Sequence, residues 1–164
     1  MSGADLTLLG GVFLGGAIPW LEAIIVVPLG ILAGGPPALV VLAGVTGNLL
    51  TLAAAAWFGE RVRNWVRRRT AEQREARGQP REGSHTTQKR QQRIERIMTR
   101  WGMPGLAVLG PLGLGTQVSA VVAVAAGVRA GLSFTWIAAG TIVWSIVAAV
   151  LAAYGVSFLG IGAG

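Results

Sequence analysis

The chain has 164 residues, of which 52% are hydrophobic and only 13% charged, with a mean hydropathy of +0.59. Soluble domains carry about 25% charged residues, so this composition excludes an ordinary water-soluble fold. The net charge of +7 is concentrated in residues 60–100, which hold 13 Lys or Arg against 5 Asp or Glu. That pattern fits a cytoplasmic loop obeying the positive-inside rule rather than a nucleic-acid-binding surface.

Residues 1–5 read as a short tail. From Leu6 to Phe58 the one charged side chain is Glu22. The stretch Gly15–Gly35, GGAIPWLEAIIVVPLGILAGG, breaks the apolar run with Pro19, Glu22 and Pro28. Each proline removes a backbone donor and crowds the preceding turn. A carboxylate in hydrocarbon costs about 3 kcal/mol or more, so it faces a cavity or a partner. The stretch is therefore expected to be a broken, re-entrant element over residues 6–35 that lines a site. Gly34-Gly35-Pro36-Pro37 is a turn and a helix start. Residues 36–59 then form one span, with Asn48 expected to face the same cavity as Glu22.

Residues 60–77 read as a basic amphipathic helix lying along the interface, with Phe58, Val62, Trp65 and Val66 on one face. Residues 78–87 form a polar loop, and residues 88–100 a second amphipathic helix. The lone histidine, His85, lies in that loop with no metal-ligand set around it, so no metal or cofactor is expected.

The second apolar half, 101–164, holds one charge, Arg129. Its broken segment, 101–129, contains Pro111, Gly113, Gly115, Thr116 and Gln117. A final span follows over 131–159. The two halves share a form, interrupted segment, glycine turn, long span. G-x-x-A-G recurs at Gly30–Gly34 and Gly127–Gly131, an offset of 97, and Gln117 stands as the rough counterpart of Glu22. Paired Gly/Pro-interrupted segments in matching positions point to a transporter's binding site.

The predicted architecture is an all-α integral membrane protein. It is an inverted repeat of re-entrant hairpin plus long helix, joined by the cytoplasmic connection 60–100. With that connection inside, the second hairpin returns Arg129 to the cytoplasmic face, and the first dips from the opposite face. Four full spans is the alternative arrangement. No Ser/His/Asp set, carboxylate pair or metal cluster lies in the apolar halves, so no enzyme is expected. Two full spans can scarcely enclose a pathway, so a homo-oligomer is expected.

The runs Ile18-Pro19-Trp20-Leu21-Glu22, Pro28-Leu29-Gly30-Ile31, Gly34-Gly35-Pro36-Pro37 and Gly47-Asn48-Leu49-Leu50 resemble the small multidrug export protein family. So does Trp101-Gly102 with Gly110-Pro111-Leu112-Gly113 and Gly115. That family is similar in plan to the DedA (SNARE-associated, VTT-domain) superfamily. The resemblance implies a multi-pass protein of the bacterial inner membrane that handles a small-molecule or lipid substrate among membrane lipids, without nucleic acid. It implies a proton-linked exporter of small hydrophobic or cationic compounds, or a flippase or scramblase for an anionic carrier lipid such as a polyprenyl phosphate. Where DedA proteins carry arginines in the second hairpin, this chain has Thr116, Gln117 and Ser119, with Arg129 at its exit.

Overall fold

The computed structural model describes residues 2–77, 102–109 and 115–159, and the described residues are helical without a strand. The first half contains α1 (Gly3–Ala17), α2 (Glu22–Leu32) and α3 (Pro37–Ala76). The second contains α4 (Met103–Leu109), α5 (Thr116–Ala125) and α6 (Ala130–Leu159). The expected loop 78–87 and helix 88–100, with His85, lie outside the described residues.

Local chemistry explains where the helices begin and end. The predicted tail is part of α1: Ser2 accepts from the Asp5 amide and Asp5 accepts from the Ser2 amide, a capping box that satisfies two orphan donors. Pro19 lies in the link 18–21 that ends α1. Pro28, by contrast, is accommodated inside α2 and does not break it. Pro37 occupies the first position of α3, where its missing N–H costs nothing.

The basic helix read over residues 60–77 forms as a direct continuation of the span. α3 continues unbroken for 40 residues through Gly59 to Ala76. Between Glu60 and Ala76 the chain has no proline and is rich in Arg, Glu and Ala, all good helix formers, so nothing interrupts the ladder.

The short helices pack on the long ones. α1 lies against α2 and α3, and α4 against α6. α2 also packs on α6, and α5 on α3, so each half lends its second helix to the other half's long helix. Two glycines permit the closest approaches. A Cβ on Gly47 of α3 would strike the Phe13 carbonyl of α1, and one on Gly140 of α6 would strike the Ala107 carbonyl of α4.

These two glycines are 93 residues apart, and other features recur at that spacing. Gly34 and Gly127 both have positive φ, +88° and +110°. Each closes a helix by the same pair of bonds, Gly34 N to Ile31 O with Gly35 N to Gly30 O, and Gly127 N to Val124 O with Val128 N to Ala123 O. Glu22 and Gly115, also 93 apart, are positive-φ residues at the start of α2 and α5. The buried stripe Val40, Gly44, Asn48, Leu52, Ala56 on α3 matches Ser133, Ile137, Thr141, Ser145, Ala149 on α6. These structural features recur at a spacing of 93, against 97 for the G-x-x-A-G text, and that spacing pairs Glu22 with Gly115.

Among the described residues three apolar clusters form, a small one of Met103, Ala123 and Val128 and two larger ones. One gathers Val12, Ala23, Val26, Val27, Ile31, Val40 and Ala149; the other gathers Leu52, Ala56, Ala120, Val124, Ala130, Ile137 and Ala138. Along α3, Asn48 falls between Val40 of the first cluster and Leu52 of the second. Along α6, Thr141 and Ser145 fall between Ile137 and Ala149. A buried polar layer therefore separates the two larger clusters.

Candidate functional site

The polar layer is built where two helices begin. Glu22 opens α2 and is 3% exposed. Thr116 opens α5 and is fully buried. The Thr116 amide donates to Glu22 Oε1, which joins the two helix starts across 94 positions of sequence. Gly115 makes this approach possible. Its φ of +83° suits glycine, and an added Cβ would stand 3.3 Å from Glu22 Oε1. Glu22 itself carries a φ of +43° and Trp20, in the link, one of +80°, so the entry to α2 holds two non-glycine residues in a region that costs about 1–2 kcal/mol each.

Asn48 and Gln117 complete the contact. Thr116 Oγ1 lies 3.3 Å from Asn48 Oδ1 and 3.0 Å from Gln117 Oε1. One hydroxyl proton serves one acceptor. Turning the Asn48 amide lets its nitrogen donate to Thr116 Oγ1 while that hydroxyl donates to Gln117. Gln117 Nε2 donates to Thr51 Oγ1 at 3.0 Å, and Thr51 Oγ1 donates to the Asn48 carbonyl at 3.0 Å. With the Asn48 amide so turned, Glu22 Oε2, Ser119 Oγ and Ser145 Oγ are buried polar atoms of this layer without a protein partner.

Of the residues singled out from the sequence, Glu22, Asn48, Gly115, Thr116 and Gln117 meet here. Pro19 is exposed in the link, and Pro28 is half-buried in α2. Arg129 is exposed at the junction of α5 and α6, beyond the far end of the ten-residue α5, so about 15 Å of helix separates it from Thr116. Pro111 and Gly113 lie outside the described residues.

Sequence reading missed Thr51 and Ser119. Both lie three residues after a site residue in a helix, which places them on the same face. It also missed Arg63, whose guanidinium Nη1 donates to the carbonyls of Val124 and Val128 at 2.7 and 3.0 Å and whose Nη2 contacts Glu60 at 3.1 Å. Arg63 thereby caps the C-terminal end of α5. In the sequence it is one of many loop cations, and nothing marks it.

Between α1 and α2 lies an open cleft of about 660 Å³, lined by Thr7, Leu8, Gly11, Val12, Val26 and Leu29. Its inner wall, Val26, is one turn along α2 from Glu22.

The outer surface is apolar. α3 and α6 are long and apolar enough to cross a membrane, and only 28% of the most apolar stretch of each is buried. The remainder, including Leu42, Leu50, Val143 and Leu151, faces outward. Such a surface suits lipid and not water. The profile of the family described as "Putative small multi-drug export protein" matches residues 22–147, more than three quarters of the chain. The chain belongs to this small multi-drug export family. The match begins at Glu22 and spans every residue of the polar layer. No curated protein and no solved structure matches the chain.

Proposed function

We propose that this member of the small multi-drug export family is a secondary transporter of the bacterial inner membrane. Glu22 takes up and releases the proton that drives export of small hydrophobic or cationic compounds. The observation that carries this reading is a buried carboxylate with one unpartnered oxygen, Oε2, where two helices begin inside the apolar bundle. Ionisable groups at such a depth are functional by default.

The depth follows from helix length. A span from Pro37 to about Gly59 is bisected by Asn48, roughly 16 Å from its start in a hydrocarbon core of about 30 Å. The polar layer therefore lies near the midplane, where substrate and ion sites of inverted-repeat transporters are built from helix ends. α1, α2 and α5 have 15, 11 and 10 residues, or about 15–22 Å, too short to cross alone. The link 18–21 exposes Ile18, Trp20 and Leu21, apolar residues that suit a tip within lipid rather than a turn in water. Together with the recurrence at 93, these features support two opposed re-entrant hairpins with residues 60–77 on the cytoplasmic side, in the manner of DedA-type proteins.

The test is transport in proteoliposomes under an imposed pH gradient, read with a lipophilic cationic dye. The wild type moves the dye with the gradient. Glu22→Gln inserts normally and falls to the level of empty liposomes; full activity in that variant removes Glu22 from the mechanism. A second reading, a flippase or scramblase for an anionic lipid, is favoured by one observation: both helices meet at Glu22 through their N-termini, which attract anions.

A further inference from the structure

We propose that the first hairpin, α1–α2, is the part that moves, with the Glu22 carboxylate as its catch, while the second hairpin, α4–α5, stays pinned to the long helices. The inference rests on the reading of Glu22 as the proton-exchanging group and names the element that the proton sets free.

The two hairpins are held in different ways. Side chains fasten the second at several points. Trp144 of α6 donates through Nε1 to the Val108 carbonyl of α4 at 3.0 Å. Gln117 of α5 donates to Thr51 of α3 at 3.0 Å. At the other end of α5, Arg63 of α3 donates to the carbonyls of Val124 and Val128. Among the described residues the first hairpin makes one hydrogen bond to another helix, from the Thr116 amide to Glu22. The spacing of 93 that pairs the halves puts a valine, Val156, where Arg63 stands.

The seam beneath the first hairpin suits sliding. An added Cβ on Gly16 would strike the Gly44 carbonyl, and one on Gly47 the Phe13 carbonyl, so α1 meets α3 backbone to backbone. Shear motions are small slides of helices packed in this manner. α4 meets α6 at Gly140 in the same way, but there Trp144 fastens the pair.

Backbone strain separates the hairpins as well. Trp20 and Glu22 hold φ of +80° and +43° without being glycine. The residue paired with Glu22 is Gly115, whose φ of +83° is relaxed. Strained residues persist where their surroundings hold them, and they gather at switches. A hydrogen bond to an ionised acceptor is about twice as strong as one to a neutral acceptor. Protonating Glu22 therefore weakens the tether, the strain at residues 20–22 relaxes, and α1–α2 slides on α3. The catch is closed at high pH and open at low pH.

Among the described residues the side chains around Glu22 are neutral: Asn48 of α3, Thr116 and Gln117 of α5, and Thr141 and Ser145 of α6. On α1 the titratable group is Asp5, near the far end. On α6 it is Tyr154, about 13 Å along the helix from Ser145. On α3 the nearest is Glu60, about 18 Å past Asn48, and Arg129 lies past the opposite end of α5.

The test is hydrogen–deuterium exchange of the full chain in lipid nanodiscs, read by mass spectrometry. Glu22→Gln fixes the site in its neutral form. At about pH 8.5 it should speed exchange in residues 3–32 at least about fivefold over the wild type, with residues 116–125 changing less than about twofold. Lowering the wild type from about pH 8.5 to about 5.5 should do the same after correction for intrinsic rates, and this arm decides alone where Glu22→Gln does not fold. Arg63→Ala should give the reverse, a loosened α5 with α1 and α2 within about twofold of wild type; a protected α5 removes the pin. Equal loosening of both hairpins, or none in the first, overturns the proposal. Exchange is read without gradient or substrate, so a rigid first hairpin beside Glu22-dependent dye transport sinks this inference alone. Full transport by Glu22→Gln sinks the proton reading itself.

Discussion

Arg63 shows how one side chain holds a short helix in place. The Arg63 guanidinium donates to the Val124 carbonyl in the last turn of α5 and to the Val128 carbonyl in the turn that follows it, tying both to α3. Its side chain is only 11% exposed, so these bonds are worth about 1.5–3 kcal/mol. Arg63→Ala should therefore lower the thermal unfolding midpoint in detergent. Arg63→Lys should recover only part of the loss, because a single ammonium does not span two carbonyls as a planar fork does. Glu60→Gln should change little, since its i, i+3 pair with Arg63 is partly exposed. An unfolding midpoint unaffected by Arg63→Ala would refute the capping role. At this scale the sequence was a fair guide to Glu22, Asn48 and Thr116. A lone acid, an amide and a hydroxyl stand out in hydrocarbon because each has to be paid for. It was a poor guide to Arg63, because one arginine in a basic run has no distinguishing neighbour.

At the level of the element, glycine position decides how near the helices come. Gly47→Ala and Gly140→Ala each push a Cβ into a backbone carbonyl of the facing helix, which cannot rotate away. Overpacking of this kind costs about 1–3 kcal/mol, and both variants should lose folded yield and melt earlier. Gly10→Ala is the control. An added Cβ there meets nothing within 4 Å, so the better helix propensity of alanine should stabilise by up to about 1 kcal/mol. Size-exclusion profiles and melting curves separate the two classes, and equal behaviour of Gly10→Ala and Gly47→Ala would contradict the packing. The sequence displayed the broken-long pattern of each half because prolines and glycines punctuate it. Its text spacing is 97, against 93 for the structural features. G-x-x-A-G looks like a repeat as text, but the features that fold alike are positive-φ residues and buried stripes, and those depend on packing.

On the scale of the molecule, the arrangement of short and long helices is checked by accessibility. The chain has no cysteine, so single-cysteine variants report cleanly. Arg129→Cys should react with a membrane-impermeant thiol reagent from the cytoplasmic side, and Pro19→Cys, at the first hairpin tip, from neither side. Reaction of Pro19→Cys from the cytoplasmic side would mean that the first hairpin spans fully. The all-helical, two-halved plan was legible from composition because the charges leave two long stretches bare. The length of α3 was not, since a change from apolar to basic residues resembles a boundary although helix propensity carries straight through it. That continuity has a mechanical consequence. Asn48 and Arg74 sit on one uninterrupted rod, 26 residues or about 39 Å apart. A tilt of about 10° pivoting near Asn48 sweeps Arg74 through roughly 7 Å. The basic end of α3 is thus a lever, and a small rearrangement around the buried Asn48 amide is amplified into a larger movement at Arg74.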